Sequence, residues 1–204
     1  MPSIAPNTSR RHFLGAIMVA PAIVTARPTI ISPWQADLGV LHNRYNDEPV
    51  KMIRSKDGRE LSLARFRAAH DFFPDAIGPL QDLPDFLYRA GITAQLGLSA
   101  HLMDVGFPDE WCARNIGLRV AKSLAYANAT GFGHDCPSMA RLARVLTPYW
   151  KWNPSRLRDR RPPSEWGFKA DEVKALLTAM LKQVQHVTGH TLDRLMQSRE
   201  GSDA

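Results

Sequence analysis

Apolar residues recur at intervals of three and four along most of the chain after residue 61. This spacing places them on one face of an α-helix, so each run predicts an amphipathic helix that buries one side. The clearest run covers 171–187, and Gly189 is its expected stop. Other runs predict helices at 62–73, 83–91, 92–104, 108–130 and from 137 to shortly before Pro154.

A different pattern occupies residues 37–61. Leu38–Leu41 is a short apolar run, Asn43–Pro49 has the composition of a turn, and Val50–Ile53 is a second apolar run. Asp57–Gly58 is a strong signal for a tight β-hairpin. Two or three short strands are not stable alone, so this ribbon must pack on helices. The predicted fold class is mainly α: a single helical domain with a small N-terminal antiparallel β-ribbon.

Length and composition agree with one folded domain. The 204 residues are 44% hydrophobic and 23% charged, which are ordinary values for a chain that buries a core. We predict a signal peptide at 1–26, an irregular lead-in at 27–36, a single domain at 37–197 and a frayed tail at 198–204. Within the domain we expect the β-ribbon at 37–61, helices at 62–150, a basic Pro-rich linker at 151–169 and an amphipathic C-terminal helix at 170–197.

The first 26 residues have the composition of a signal peptide. Arg10 and Arg11 supply positive charge, and no acidic residue precedes Asp37. Gly15–Val24 is then apolar, with the length of a signal peptide's hydrophobic region and too short to span a bilayer as a helix. Small residues end this stretch and predict cleavage after Ala26.

The paired arginines are followed two residues later by Phe13 and Leu14. This arrangement resembles the twin-arginine signal family, which exports proteins that are already folded. The resemblance implies recognition of Arg10, Arg11, Phe13 and Leu14 by the twin-arginine translocase and a location in the bacterial periplasm. The alternative is an N-terminus in which the arginine pair is incidental and the protein stays in the cytoplasm.

A second, partial resemblance covers residues 41–88. Leu41-His42-Asn43 precedes an acidic turn, an apolar run, Asp57–Gly58, a helix ending in Asp71-Phe72-Phe73, and Phe86-Leu87-Tyr88. The order resembles the N-terminal part of exported D-alanyl-D-alanine carboxypeptidase-like zinc peptidases. The zinc-ligand pattern of that family, a His six residues clear of an Asp and then a His-x-His, does not occur here. The resemblance therefore assigns no catalytic residue to this chain.

Positive charge is concentrated near residue 155. The formal net charge of the chain is +6, and the segment 149–163 places aromatic residues beside basic ones. Such a composition favours contact with nucleic acid, anionic lipid or another polyanion. A solvated linker anchored by Trp150 and Trp152 is the alternative. The candidate anion-binding residues are Lys151, Arg156, Arg158, Arg160 and Arg161.

The candidate chemistry rests on histidines. His134 and Asp135 lie in a Gly-rich loop between two predicted helices, and a carboxylate beside an imidazole can orient it for proton transfer, so these two are the catalytic candidates. His186 and His190 have the i, i+4 spacing of a zinc pair, although Gly189 lies between them. His101 and Asp104 are predicted to share a helix face. No cofactor is predicted apart from this possible zinc.

Cys112 and Cys136 are predicted to be free thiols. If the helix that begins near residue 108 runs to about residue 130, its rise separates the two by roughly 27 Å, and the short return segment spans at most ~20 Å. A disulfide requires Cα atoms within about 7 Å.

Taken together, these patterns predict an exported periplasmic protein, most simply a non-enzymatic envelope protein that binds a partner or an anionic cell-wall or membrane component. A metal-dependent or His/Asp hydrolase acting on cell-wall material is the first alternative. The second is a cytoplasmic nucleic-acid-binding protein that uses the basic segment 151–161.

Overall fold

The computed structural model describes residues 33–74, 83–147 and 167–192, all within one compact unit, Ser32–Ala204. These residues are mainly helical, which confirms the predicted class. In chain order the elements are α1 (Gln35–Tyr45), α2 (Lys56–Asp71), α3 (Leu83–Val105), α4 (Asp109–Trp111) continued by a π-helical turn (Cys112–Ile116), α5 (Val120–Ala129), α6 (Pro137–Leu146) and α7 (Ala170–Thr188).

The predicted β-ribbon at 37–61 is wrong. Most of this range lies in α1 and in the first turns of α2, joined by a segment without regular structure, and the described residues contain no strand. Leu38 and Leu41 are buried one helical turn apart, whereas Val40 between them is 66% exposed. Asp57–Gly58 opens α2 rather than a hairpin, because the Ser55 side chain accepts the Gly58 N–H at 3.0 Å and caps the helix.

Helix α3 is the centre of the fold and packs against α2, α5, α6 and α7. The sequence predicted two helices here, separated at Gly91, but α3 continues through that position to Val105. At Gly97 a β-carbon would lie 2.9 Å from Met180 Cε and 3.0 Å from Leu181 Cδ2 of α7. A glycine at this position therefore lets α3 and α7 approach closely.

The long helix predicted at 108–130 is broken in the middle. The π-helical turn ends at Gly117, which has φ +59°, and α5 begins at Val120. The Gln95 side-chain amide donates to the Gly117 carbonyl at 2.9 Å and ties this break to α3. Cys112 and Cys136 are free thiols in the structure.

Helix α6 has the predicted start but ends at Leu146, earlier than the predicted stop shortly before Pro154, and α7 ends at the predicted glycine. Pro137 opens α6, where its missing N–H costs no hydrogen bond. Helix α7 ends at Gly189, which has φ +69° and donates its N–H to the Gln185 carbonyl at 2.8 Å. Within the described residues, no helix has the length and apolar character needed to cross a membrane.

Several predicted segments lie wholly or largely outside the described residues. They are the signal peptide at 1–26, most of the lead-in at 27–36, nearly all of the linker at 151–169, the end of the C-terminal segment beyond 192, and the tail at 198–204.

Candidate functional site

A cavity of about 470 Å³ opens between α2 and the turn that follows α7. We call it the basic cavity. The residues from α2 are three or four positions apart along one face of the helix, so their side chains point to the same side. The turn after α7 closes the other side. The cavity is lined by Lys56, Arg59, Glu60, Leu63, Arg67, Gly189, His190 and Thr191.

His190, on the wall of the basic cavity, forms a buried pair with Ser62. His190 Nε2 lies 2.7 Å from Ser62 Oγ, and both residues are almost completely buried. Ser62 Oγ also lies 2.6 Å from the Ala100 carbonyl of α3. Because a carbonyl can only accept, the hydroxyl proton goes to Ala100 and His190 Nε2–H donates to Ser62. This arrangement joins three elements, and Ser62 is not poised as a nucleophile, since its proton is not directed at the imidazole.

Arg59 is held at the rim of the basic cavity by α3 and α7. Its Nη1 lies 2.6 Å from Asp104 Oδ1, and its Nη2 donates to the Thr188 carbonyl at 3.1 Å. The Asp104 side chain is only 8% exposed, whereas that of Arg59 is 57% exposed. Asp104 thus pairs with Arg59, not with His101, which was its predicted partner on the helix face. His101 instead contacts the Thr130 hydroxyl at 3.2 Å.

Arg67 is the unusual member of the cavity. It is half-buried, and its Nε atom is buried without a hydrogen-bond partner in the described part of the chain. The ion pairs among the described residues join other groups and leave Arg67 out. No carboxylate in the described part of the chain neutralises this guanidinium, so its positive charge favours an anion at the cavity wall.

The positive charge of the cavity acts on His190. Burial lowers the pKa of His190 below its usual value, the Arg59 and Arg67 cations lower it further, and the Asp104 carboxylate partly opposes them. His190 is therefore neutral at pH 7. A neutral imidazole beside two guanidinium groups favours an anion and disfavours a metal cation.

The predicted zinc pair is not assembled. His186 is exposed on the last turn of α7, whereas His190 lies beyond the Gly189 stop and is buried against Ser62. No three His, Cys, Asp or Glu residues within 33–74, 83–147 and 167–192 are grouped to hold a metal ion.

The predicted catalytic pair lies in the loop between α5 and α6. Asn128 organises this loop: its Oδ1 accepts the His134 N–H at 3.0 Å, and its Nδ2 donates to Asp135 Oδ1 at 3.3 Å. The His134 Nε2 atom is buried without a partner in the described residues, and burial lowers the pKa of its imidazole. The two side chains make no hydrogen bond with each other there. Their catalytic role stays a prediction.

The remaining predicted sites lie outside the described residues. These are the signal-recognition residues Arg10, Arg11, Phe13 and Leu14 and the anion-binding residues Lys151, Arg156, Arg158, Arg160 and Arg161.

A second cavity, of about 310 Å³, has a mostly apolar lining. It lies between α3 and the π-helical turn, with Ile92, Leu96, Cys112 and Ile116 among its walls. Burial raises the pKa of the Cys112 thiol to about 12, so the thiol is protonated and unreactive at neutral pH. This cavity carries no evident chemistry.

Sequence reasoning missed Arg59 and Arg67 as functional candidates. One signal was available, because Lys56, Arg59 and Arg67 share a helix face once α2 is known to begin at residue 56. The prediction of a β-ribbon up to residue 61 concealed it. Comparison of the chain with protein-family models, with curated proteins and with solved structures gave no match.

Proposed function

We propose that this chain is an exported, non-enzymatic envelope protein that binds an anionic component of the cell wall or membrane. The observation that carries the proposal is the half-buried Arg67 guanidinium, which lines the basic cavity and forms no ion pair among the described residues. An exposed lysine and a second arginine lie on the same wall. The proposal includes no cofactor.

Two further features support a binding role over hydrolysis. The Ser62 hydroxyl is fully buried and gives its proton to a backbone carbonyl, so it has no access to a substrate. The positive surroundings of His190 oppose a bound metal ion, which a zinc hydrolase needs to activate water. The Arg-rich segment at 151–161 supplies a second basic region and would add to the attraction for an anionic surface.

Export to the periplasm is tested with the arginine pair. Replacement of Arg10 and Arg11 by lysine keeps both charges and removes only the planar guanidinium groups. We expect wild-type protein in the periplasm, shortened by the length of a signal peptide, and the double-lysine variant uncleaved in the cytoplasm. Fractionation and intact mass measure both. Uncleaved wild-type protein in the cytoplasm would contradict export and favour the nucleic-acid-binding alternative.

The binding role is tested with purified protein on vesicles that contain phosphatidylglycerol and on immobilised double-stranded DNA. We expect salt-sensitive vesicle binding that weakens in Arg67→Gln. The matched control is Arg65→Gln, which removes the same charge from the same helix at a residue paired with Asp109 outside the basic cavity. Tighter retention on DNA than on vesicles, or a metal ion that copurifies with hydrolytic activity, would overturn the proposal.

A further inference from the structure

We propose that the basic cavity binds a doubly charged phosphoryl oxyanion, as in a phosphate monoester, and that His190 takes up a proton when the anion binds. This inference rests on the proposed function, because it names the ligand class and the regulation of the same cavity.

The net charge of the cavity balances a dianion only after His190 is protonated. Three cations face two carboxylates, so one net positive charge remains while His190 is neutral. Protonation of His190 raises this to two, which balances a phosphate monoester above its second pKa of about 6. The groups that face His190 are Arg59 and Arg67 from α2 and Asp104 from α3, and the other charged lining residues are Lys56 and Glu60.

The donors in the cavity suit a tetrahedral group better than a planar carboxylate. A carboxylate is satisfied by one guanidinium fork, whereas a phosphoryl group presents three oxygens in different directions. Arg67 and Lys56 lie on the α2 wall, where the Lys56 side chain is 88% exposed, and His190 lies on the opposite wall. A volume of about 470 Å³ also leaves room beside Leu63 for the group that carries the phosphate.

The hydrogen bonds around His190 leave one nitrogen for the added proton. Nε2 already donates to Ser62, so proton uptake occurs at Nδ1. Burial and two cations keep the free imidazole neutral. The negative charge of a bound dianion opposes the effect of the two cations and favours the imidazolium. By linkage, anion affinity must then rise as the pH falls toward the pKa of the free imidazole.

The experiment is calorimetric titration of the full-length protein with inorganic sulfate, which stays doubly charged across the working pH range, and with inorganic phosphate. Chloride at matched ionic strength is the control. Titration in two buffers of different ionisation enthalpy measures proton uptake. We expect uptake approaching about one proton per site, and an affinity for sulfate that rises up to about tenfold for each unit of pH decrease between pH 8 and 7.

Three variants locate the effect. Arg67→Gln should lose about tenfold or more in affinity, and Arg65→Gln should bind like the wild type. His190→Gln retains a donor for Ser62 but cannot titrate, so binding should remain while proton uptake disappears. Thermal unfolding midpoints check that each variant is folded, and the uptake measured on wild-type protein stands without any variant.

The outcomes separate this inference from the proposed function. If neither sulfate, phosphate nor the phosphatidylglycerol vesicles bind, both fail. If anions bind without proton uptake, or if succinate binds as tightly as sulfate, the inference fails and the proposed function stands. If sulfate binding does take up a proton, glycerol phosphate and phosphatidate vesicles distinguish a soluble ester from a lipid headgroup. Binding of either supports the phosphoryl class.

Discussion

Gly106 occupies a position where no other residue fits. It follows α3 with φ +103°, and its carbonyl accepts the Ile53 N–H at 2.9 Å. A β-carbon there would lie 2.7 Å from Ile53 C and 2.8 Å from Arg54 N. These are backbone atoms of the segment before α2, so neither side can move away cheaply. This single residue fixes how the segment crosses the end of α3.

We therefore predict that Gly106→Ala lowers the free energy of unfolding by about 3 kcal/mol or more, through backbone strain and a steric clash. Gly39→Ala is the matched control, since Gly39 lies inside α1 with nothing within 4 Å of its added β-carbon. That change should raise stability by about 0.5–1 kcal/mol through helix propensity. Urea denaturation measures both, and equal effects at the two sites would show that the close approach at Gly106 is absent.

At the scale of elements, a buried ion pair joins the turn after α1 to α5. Lys122 Nζ lies 2.7 Å from Asp47 Oδ1 and donates to the Asn115 carbonyl at 2.6 Å, while the Tyr126 hydroxyl donates to Asp47 Oδ2 at 2.6 Å. Both charged side chains are almost fully buried. Burial raises the pKa of the Tyr126 phenol, and the hydrogen bond to Asp47 raises it further, so the hydroxyl keeps its proton. The cluster holds three segments together.

Removing one partner of this pair should lower the stability of the fold by more than the intact pair contributes, because the other charge stays buried without a partner. We predict that Lys122→Met lowers the free energy of unfolding by about 3–5 kcal/mol. In the Lys122→Met variant, Asp47→Asn should lower the free energy of unfolding much less than it does in the wild type. Lys56→Met is the control, since the exposed Lys56–Glu60 pair should contribute at most about 0.5 kcal/mol. A double-mutant cycle measures the coupling, and strict additivity would contradict a direct pair.

At the scale of the whole molecule, several buried or half-buried histidines make the fold sensitive to acid. Burial lowers the pKa of each, and the largest shift is at His101, whose pKa falls to about 4. The Thr130 hydroxyl donates to backbone carbonyls, so His101 Nε2–H donates to Thr130, and Nδ1 is buried without a partner in the described residues. The histidines concerned are His42, His70, His101, His134 and His190.

The sign of the pH dependence follows from these directions. A histidine with a lowered pKa binds fewer protons in the folded state than in the unfolded one. Its contribution to the free energy of unfolding is therefore complete above pH 6.5 and is lost as the pH falls toward the folded pKa. For His101 the loss should reach about 2 kcal/mol at pH 5. We predict a smaller loss between pH 7 and pH 5 in His101→Leu than in the wild type. Denaturation at the two pH values measures it, and identical losses would show that His101 is not buried.

The sequence by itself determined the helical class and those boundaries that depend on local chemistry. Pro137 starts α6 and Gly189 stops α7 because a missing N–H and a positive φ act within one turn. For residues 1–32 and 148–166, sequence patterns remain the source of the predicted signal peptide and anion-binding segment.

Tertiary contacts decided the remaining features of the fold and the formation of the basic cavity. Asp57–Gly58 has the local pattern of a hairpin, and the Ser55 cap together with packing of α2 on α3 makes it the first turn of a helix instead. Gly97 would weaken an isolated helix, yet α3 continues through it because α7 packs against that point. The basic cavity has the same origin: Ser62 and His190 are 128 positions apart, so no local pattern contains the site. Only in the folded chain do Arg59, Arg67 and His190 line the same cavity. Side-chain contact depends on packing and not on distance along the sequence.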